Sequence, residues 1–256
     1  MLDDLSCPSR SNLFCKYFFI LFLGFISIYF IPEKVQSQTI YGFKGLLTIP
    51  TADLMDDGKI SIGASFIDKS AFKYSNYEYN GIVSYFSLGF LPFIEVSFRI
   101  THNLNFPVKN QGIGDRTPSV RIKFIKESAV IPSLTLGFHD FIVVSNAEGR
   151  HFNSLYIVAT KNIQTKTFIR NISSNFGYGV DWIPASDHQF VGLFGGISLS
   201  IPFNESNSYN FQFLLEYDSK SINEGVSLVI LNYFKFTVGL INSKSYCGSF
   251  SFSFLL

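Results

Sequence analysis

Apolar and polar residues alternate with a period of two along most of the chain. Ile60, Ile62, Ala64 and Phe66 oppose Ser61, Gly63 and Ser65; Ile94, Val96, Phe98 and Ile100 oppose Glu95, Ser97 and Arg99; Val120, Ile122 and Phe124 oppose Arg121 and Lys123. Farther on, Leu134, Leu136 and Phe138 oppose Thr135, Gly137 and His139, while Phe234, Phe236, Val238 and Leu240 oppose Lys235, Thr237 and Gly239. Successive side chains of a strand point to opposite faces, so each run predicts a strand with one apolar and one wet face. Less regular runs near 77–88, 151–160, 166–176, 190–201, 209–218 and 224–231 join them. With Phe250, Phe252, Phe254 and Leu256 alternating against serines near the last residue, the total is about 12 strands, each near the ~10 residues that cross a bilayer at a tilt. Turn-forming stretches at 105–112, 145–149, 204–208 and 218–223 separate runs, and no helix longer than a turn or two is expected.

Two pictures accommodate such strands. A soluble sandwich or barrel packs its apolar faces inward; a membrane barrel turns them to lipid and lines its interior with polar groups. The wet faces decide between them, because Ser, Gly, Thr and Asn dominate there and charges are sparse, as suits a narrow filled lumen. An even strand number also suits both chain termini of the barrel on the periplasmic side.

Ahead of the first strand, a basic flank, the apolar run Tyr17 to Ile31 and a polar exit have the layout of a secretory signal. Val35 and Ser37 suit the cleavage site, which places the mature start near Gln38. The apolar run falls short of the ~20 residues of a spanning helix. Cleavage would remove Cys7 and Cys15 and leave Cys247 alone, so no intramolecular disulfide is expected. Composition agrees with a strand-rich exported protein: 47% hydrophobic, 30 Phe, and only 15% charged, against about 25% in ordinary globular chains. Twenty basic and nineteen acidic residues give a net charge of +1, which offers no electrostatic case for nucleic acid.

The stretch Tyr41-Gly-Phe-Lys-Gly-Leu-Leu-Thr-Ile-Pro-Thr-Ala-Asp-Leu-Met-Asp-Asp-Gly58 leads straight into the first strand. It resembles the opening of the YjbH family of exopolysaccharide-associated outer-membrane proteins, whose members carry a G-x-x-N-x-P-T-A-like stretch before an acidic-Gly turn. Gly45, Pro50, Thr51, Ala52 and Gly58 stand at those places, with Thr48 where many relatives have Asn. Further similar pieces follow in order: Gly112-Ile-Gly-Asp-Arg116, Pro132 to Asp140, Gly192-Leu-Phe-Gly-Gly196, and Glu216-Tyr-Asp218 with Asn223-Glu-Gly225. The resemblance implies a non-enzymatic outer-membrane component of polysaccharide production or export, with membrane lipid, polysaccharide and other secretion proteins as partners.

Candidate lumen-facing contacts are Glu95, Arg99, Arg121, Lys123, Glu216 and Asp218. Their mixed signs suit a network that holds the barrel shut, since buried charges are costly unless paired; the sharper alternative is a polar track for sugar hydroxyls. Catalysis has little support. His139 and Asp140 are adjacent on a strand and face opposite ways, His102, His151 and His188 fall at strand ends or loops, and no serine sits in a nucleophile motif. One mature cysteine and scattered histidines offer no metal-ligand spacing, and Gly177-Tyr-Gly179 and Gly192–Gly196 lack the strand-to-helix context of a phosphate loop, so no cofactor is expected. Such glycines more simply admit a bulky neighbour inside a small barrel. Trp182, Tyr41, Tyr77, Tyr79 and Tyr233 are candidates for the headgroup girdle.

Residues 40–57 alternate poorly, and Pro50 lacks the amide hydrogen a ladder needs, which suggests a plug folded into the lumen. The sequence thus predicts an all-β protein: a signal peptide (1–37), a plug segment (38–57) and a single transmembrane antiparallel β-barrel of about 12 strands (58–256). An outer-membrane enzyme acting on lipid or glycan, and a soluble periplasmic β-sandwich that binds a ligand, are the alternatives.

Overall fold

The computed structural model describes residues 38–71, 73–74, 77–78, 80–104, 113–141, 153–181, 190–203 and 209–256. The expected signal peptide, His151, His188, Trp182, Tyr79 and the stretches 105–112, 145–149 and 204–208 lie outside the described residues. Fourteen strands appear in chain order among those described: β1 (Lys59–Ile67), β2 (Lys73–Tyr74), β3 (Tyr77–Glu78), β4 (Asn80–Gly89), β5 (Ile94–Leu104), β6 (Ile113–Ile125), β7 (Ser133–His139), β8 (Ser154–Gln164), β9 (Asn171–Val180), β10 (Gly192–Pro202), β11 (Tyr209–Tyr217), β12 (Ile222–Ile230), β13 (Phe234–Ile241) and β14 (Ser245–Leu255). Strands β2 and β3 form a small ribbon, and the other twelve close into one barrel. Neighbours along the chain pair antiparallel, and β14 pairs back to β1 from Leu255 opposite Lys59 to Cys247 opposite Ile67. Closure leaves no edge strand with unpaired amides, which hydrocarbon would not tolerate.

The two faces of the barrel are inverted relative to a soluble protein. Ser61, Ser97, Thr135, Thr160, Ser173 and Thr237 are buried, whereas Ile62, Phe98, Ile157, Phe213 and Phe236 on the alternate positions stay exposed, up to 62% for Phe176 and 59% for Val238. A sandwich would hide those phenylalanines against a second sheet. Here they form an outward apolar band, so the barrel spans a membrane. Between β13 and β14 outward rings pair in register, tilted to each other: Phe236 opposes Phe250 with ring centroids 5.0 Å apart, and Phe234 opposes Phe252 at 5.1 Å.

Some boundaries differ from those expected. The run near 166–176 begins as a strand only at Asn171, because residues 165–170 form a turn in which the Thr165 hydroxyl donates to the Ile169 carbonyl. The run near 151–160 extends on to Gln164. Gly177 does admit a bulky neighbour, since the Phe194 ring occupies the space where a side chain at 177 would stand. Tyr41 is no girdle residue: it is buried inside, with the Arg99 guanidinium 4.5 Å above its ring. Its polar neighbour lies in the lumen rather than among headgroups, and the short motif around it turns inward before β1 begins.

The connections sort by end. Those at 90–93, 126–132, 165–170, 203–208 and 231–233 share one end with the start of β1 and the close of β14, and those at 68–79, 105–112, 140–153, 181–191, 218–221 and 242–244 share the other. The longest connections all belong to the second set.

Candidate functional site: the filled lumen

Residues 38–57 run inside the ring of strands. Ile40, Phe43, Leu46, Leu47, Ile49 and Ala52 are buried there, together with the inward rings of Tyr85, Tyr156, Phe190 and Phe194. The segment is a narrow hairpin held by its own backbone: the Ile40 amide donates to the Leu47 carbonyl (2.9 Å), the Leu46 amide to the Ile49 carbonyl (3.0 Å), and isolated bridges join Gln38 with Lys44 and Gly45 with Pro50. So short a ladder leaves many backbone groups without an internal partner, and each buried one needs a partner elsewhere. The barrel wall supplies them.

At the tip, the Glu216 carboxylate accepts from the amides of Leu47 (2.9 Å), Thr48 (2.8 Å) and Ile49 (3.3 Å) and from the Thr48 hydroxyl (2.5 Å). The Asn223 amide on β12 also donates to it, at 3.1 Å. Near the short-turn end, Glu95 on β5 accepts from the amides of Lys44 (3.0 Å) and Met55 (2.8 Å), which brings the two arms of the hairpin to one carboxylate. Arg121, opposite Glu95 on β6, donates to Glu95 and to the carbonyls of Lys44 (2.8 Å), Thr51 and Asp53 (3.3 Å). Two hydroxyls and a further cation complete the docking: the Ala52 amide donates to Thr160 (2.6 Å), the Thr135 hydroxyl donates to the Ala52 carbonyl (2.7 Å), and Lys235 donates to the Gln38 carbonyl (2.5 Å). Charge-assisted bonds of this kind are roughly twice as strong as neutral ones.

Of the six charges singled out from sequence, Glu95, Arg99, Arg121 and Glu216 are buried on the inner face. Lys123 is half-buried toward the short-turn end. Asp218 stands one residue past the end of β11 and is half-buried like Lys123. Its carboxylate accepts from the amides of Lys220 and Ser221 in the turn, at 3.0 and 2.8 Å, and from the side chain of the buried Asn223 at 2.9 Å, which joins it to the Glu216 network. Lys235, Asn223 and Thr48 were not among the candidates. Lys235 had a readable signal in its place on the wet face between Phe234 and Phe236; Asn223 and Thr48 stood in the family-like stretches, which did not mark them as lumen contacts.

Asp53 lies on the returning arm. Burial pushes its carboxyl up, but Lys44, Lys123, the Asn162 amide and Arg121 outweigh that and leave it below the ordinary carboxylate range. The His139 Nδ1 lies 2.7 Å from the Ser119 hydroxyl, and the rings of Phe43 and Phe190 pack edge-on against it at 5.4 and 5.6 Å.

The chain matches the YjbH family, described as "Exopolysaccharide biosynthesis protein YbjH", over residues 37–240. It belongs to that family. Among curated proteins none matches in sequence. Solved structures with a similar fold include a KdgM porin (13% identity, TM-score 0.47, covering 77% of this chain and 99% of that one) and an outer-membrane channel from Pseudomonas putida F1 (8% identity, TM-score 0.42, covering 80% and 98%). Family match and closed twelve-stranded architecture together describe a YjbH-family transmembrane β-barrel. The stretch that carries the YjbH resemblance is the inner hairpin itself. Gly45 and Pro50 pair across it, Thr51 and Ala52 offer their backbones to Arg121, Thr135 and Thr160, and Gly58 makes the bend into β1 with φ +74°, a conformation that favours glycine.

Proposed function

We propose that this YjbH-family barrel is a non-enzymatic outer-membrane component of exopolysaccharide production or export, closed at rest by residues 38–57. Export through the Sec pathway, and a place beside polysaccharide and other secretion proteins, belong to the same reading. The observation that carries it is the family match over 37–240, which takes in both the inner hairpin and most of the wall that holds it. The geometry supports a closed resting state in that Glu95, Arg121, Glu216 and Lys235, which could otherwise serve as a track for sugar hydroxyls, are engaged by the hairpin backbone. It supports a role without chemistry in that the Ser119–His139 pair lies under two phenylalanine rings, where a substrate carbonyl has no approach.

Deleting the gene and measuring surface polysaccharide tests the role. The expected result is a reduced coat, restored by the wild-type chain and by a Ser119→Ala variant. A normal coat in the deletion strain would overturn the role, and loss of rescue by Ser119→Ala would overturn its non-enzymatic character.

A further inference from the structure

The short-turn rim is not uniform around the barrel. Longer connections mark the extracellular end of outer-membrane barrels, so the short turns face the periplasm. Over β6 to β9 that rim is both apolar and basic. The β6–β7 turn is fixed in place: Lys161 donates to the carbonyls of Ser128 (2.6 Å) and Ala129 (2.9 Å), and Glu127 accepts from the Asn162 backbone (2.7 Å) and side chain (2.8 Å) while pairing with Lys161 at 3.4 Å. A turn so anchored nonetheless leaves Val130 85% exposed and Ile131 52%. The next turn around the rim leaves Phe168 73% exposed. Exposed Lys126, Lys166 and Arg170 stand among these apolar side chains. Two acids lie at this arc: Glu127 is engaged by Lys161 and Asn162, and Asp53, also bound by Asn162, sits among Lys44, Lys123 and Arg121, so the arc carries a cationic surplus. By contrast the β12–β13 turn, Leu231-Asn232-Tyr233, carries no charge.

The patch is continuous with the lipid-facing band, since Phe124 and Ile163, 52% and 51% exposed, lie directly above it on β6 and β8. Apolar side chains at the edge of that band gain by sitting in the upper acyl region, and cations beside them gain when the neighbouring headgroups are anionic. We propose that this rim is a binding site for anionic phospholipid headgroups of the inner leaflet, with Lys126, Lys166 and Arg170 meeting the phosphates and Val130, Ile131 and Phe168 immersed beside them.

The test uses the full barrel in nanodiscs of mixed phosphatidylglycerol and phosphatidylethanolamine, with native mass spectrometry reading which lipid stays bound on release. Wild type should retain phosphatidylglycerol in preference, and added salt should weaken that preference because it is charge-driven. Changing Lys126, Lys166 and Arg170 together to Gln should reduce it by about fivefold per cation removed. The pair Lys69→Gln and Lys244→Gln, on the opposite rim, should leave it unchanged. Heat-modifiable migration on gels verifies folding of each variant; should the triple variant not fold, the salt response of wild type carries the decision. No preference in wild type, a preference insensitive to salt, or one that survives in a folded triple variant overturns the proposal. A triple variant that keeps its lipid but loses polysaccharide export also overturns it, and identifies the rim as a protein-docking surface instead.

Discussion

Glu95 and Arg121 stand directly opposite each other on β5 and β6, 2.9 Å apart and buried, and each is also bound to the backbone of the hairpin between them and the lumen axis. The pair is polarised by that third party: Glu95 takes amides of Lys44 and Met55, and Arg121 gives to carbonyls of Lys44, Thr51 and Asp53. Removing one member strands a buried charge, so Glu95→Gln or Arg121→Met should cost about 3–5 kcal/mol. The informative variant is the swap Glu95→Arg with Arg121→Glu. It preserves the ion pair but presents donors to amides and an acceptor to carbonyls, and should therefore remain destabilised. Denaturant unfolding in detergent micelles measures all three. A swap as stable as wild type would mean that the hairpin contacts contribute little.

Glu216 grips the tip of the hairpin through three amides and the Thr48 hydroxyl. Thr48→Val deletes the hydroxyl donor and should cost about 1–3 kcal/mol, whereas Thr48→Asn keeps a donor and should cost less. Glu216→Ala releases the tip altogether. In planar bilayers it should raise conductance above that of wild type, and a spin-label distance between residue 50 and the outward wall residue 176 should broaden. Conductance equal to wild type, with the distance unchanged, would show that the hairpin stays put without its latch.

How much of this was readable from sequence follows from what leaves a periodic trace. A strand with one face to lipid imposes period two, so the runs around Ile94–Ile100 and Phe234–Leu240 placed Glu95, Arg99 and Lys235 on the wet face by parity alone. Parity loses its hold where a strand stops, as at Asp218, one residue past β11, whose carboxylate is shared between the turn and the buried Asn223. The docking of the hairpin leaves no such trace, because its bonds run from backbone amides that every residue possesses to a carboxylate 168 positions away. Pro50 and the broken alternation of 40–57 suggested an inward segment, yet nothing in those residues named Glu95 or Glu216 as its partners. Tyr41 failed for a related reason: an aromatic near a strand end is as compatible with a ring under Arg99 as with a headgroup girdle.

Acid should act on the hairpin through Asp53. Its carboxyl is held below the ordinary range by Lys44, Lys123, Asn162 and Arg121 against the opposing effect of burial. A depressed folded pKa contributes stability that is fully present above the unfolded value of about 4 and is lost as pH falls through the folded value. Asp53→Asn should therefore lower stability at neutral pH, and the difference from wild type should shrink below about pH 4. Paired unfolding curves across that range check the sign; a gap that widens in acid would contradict it.

The outward band makes the sharpest claim about solvent. Val238 sits midway along β13, 59% exposed, between the outward Phe236 and Leu240 and opposite the inward Thr237 and Gly239 on the other face. If hydrocarbon surrounds it, Val238→Arg should cost about 2–4 kcal/mol near the midplane. The same change in water would be close to neutral, since exposed surface substitutions usually stay within about 0.5 kcal/mol. Folding into vesicles and titrating with urea separates the two outcomes, with Lys244→Arg in the β13–β14 turn as the control that should not move. A near-zero cost at residue 238 would mean that the phenylalanine-rich face meets something other than lipid.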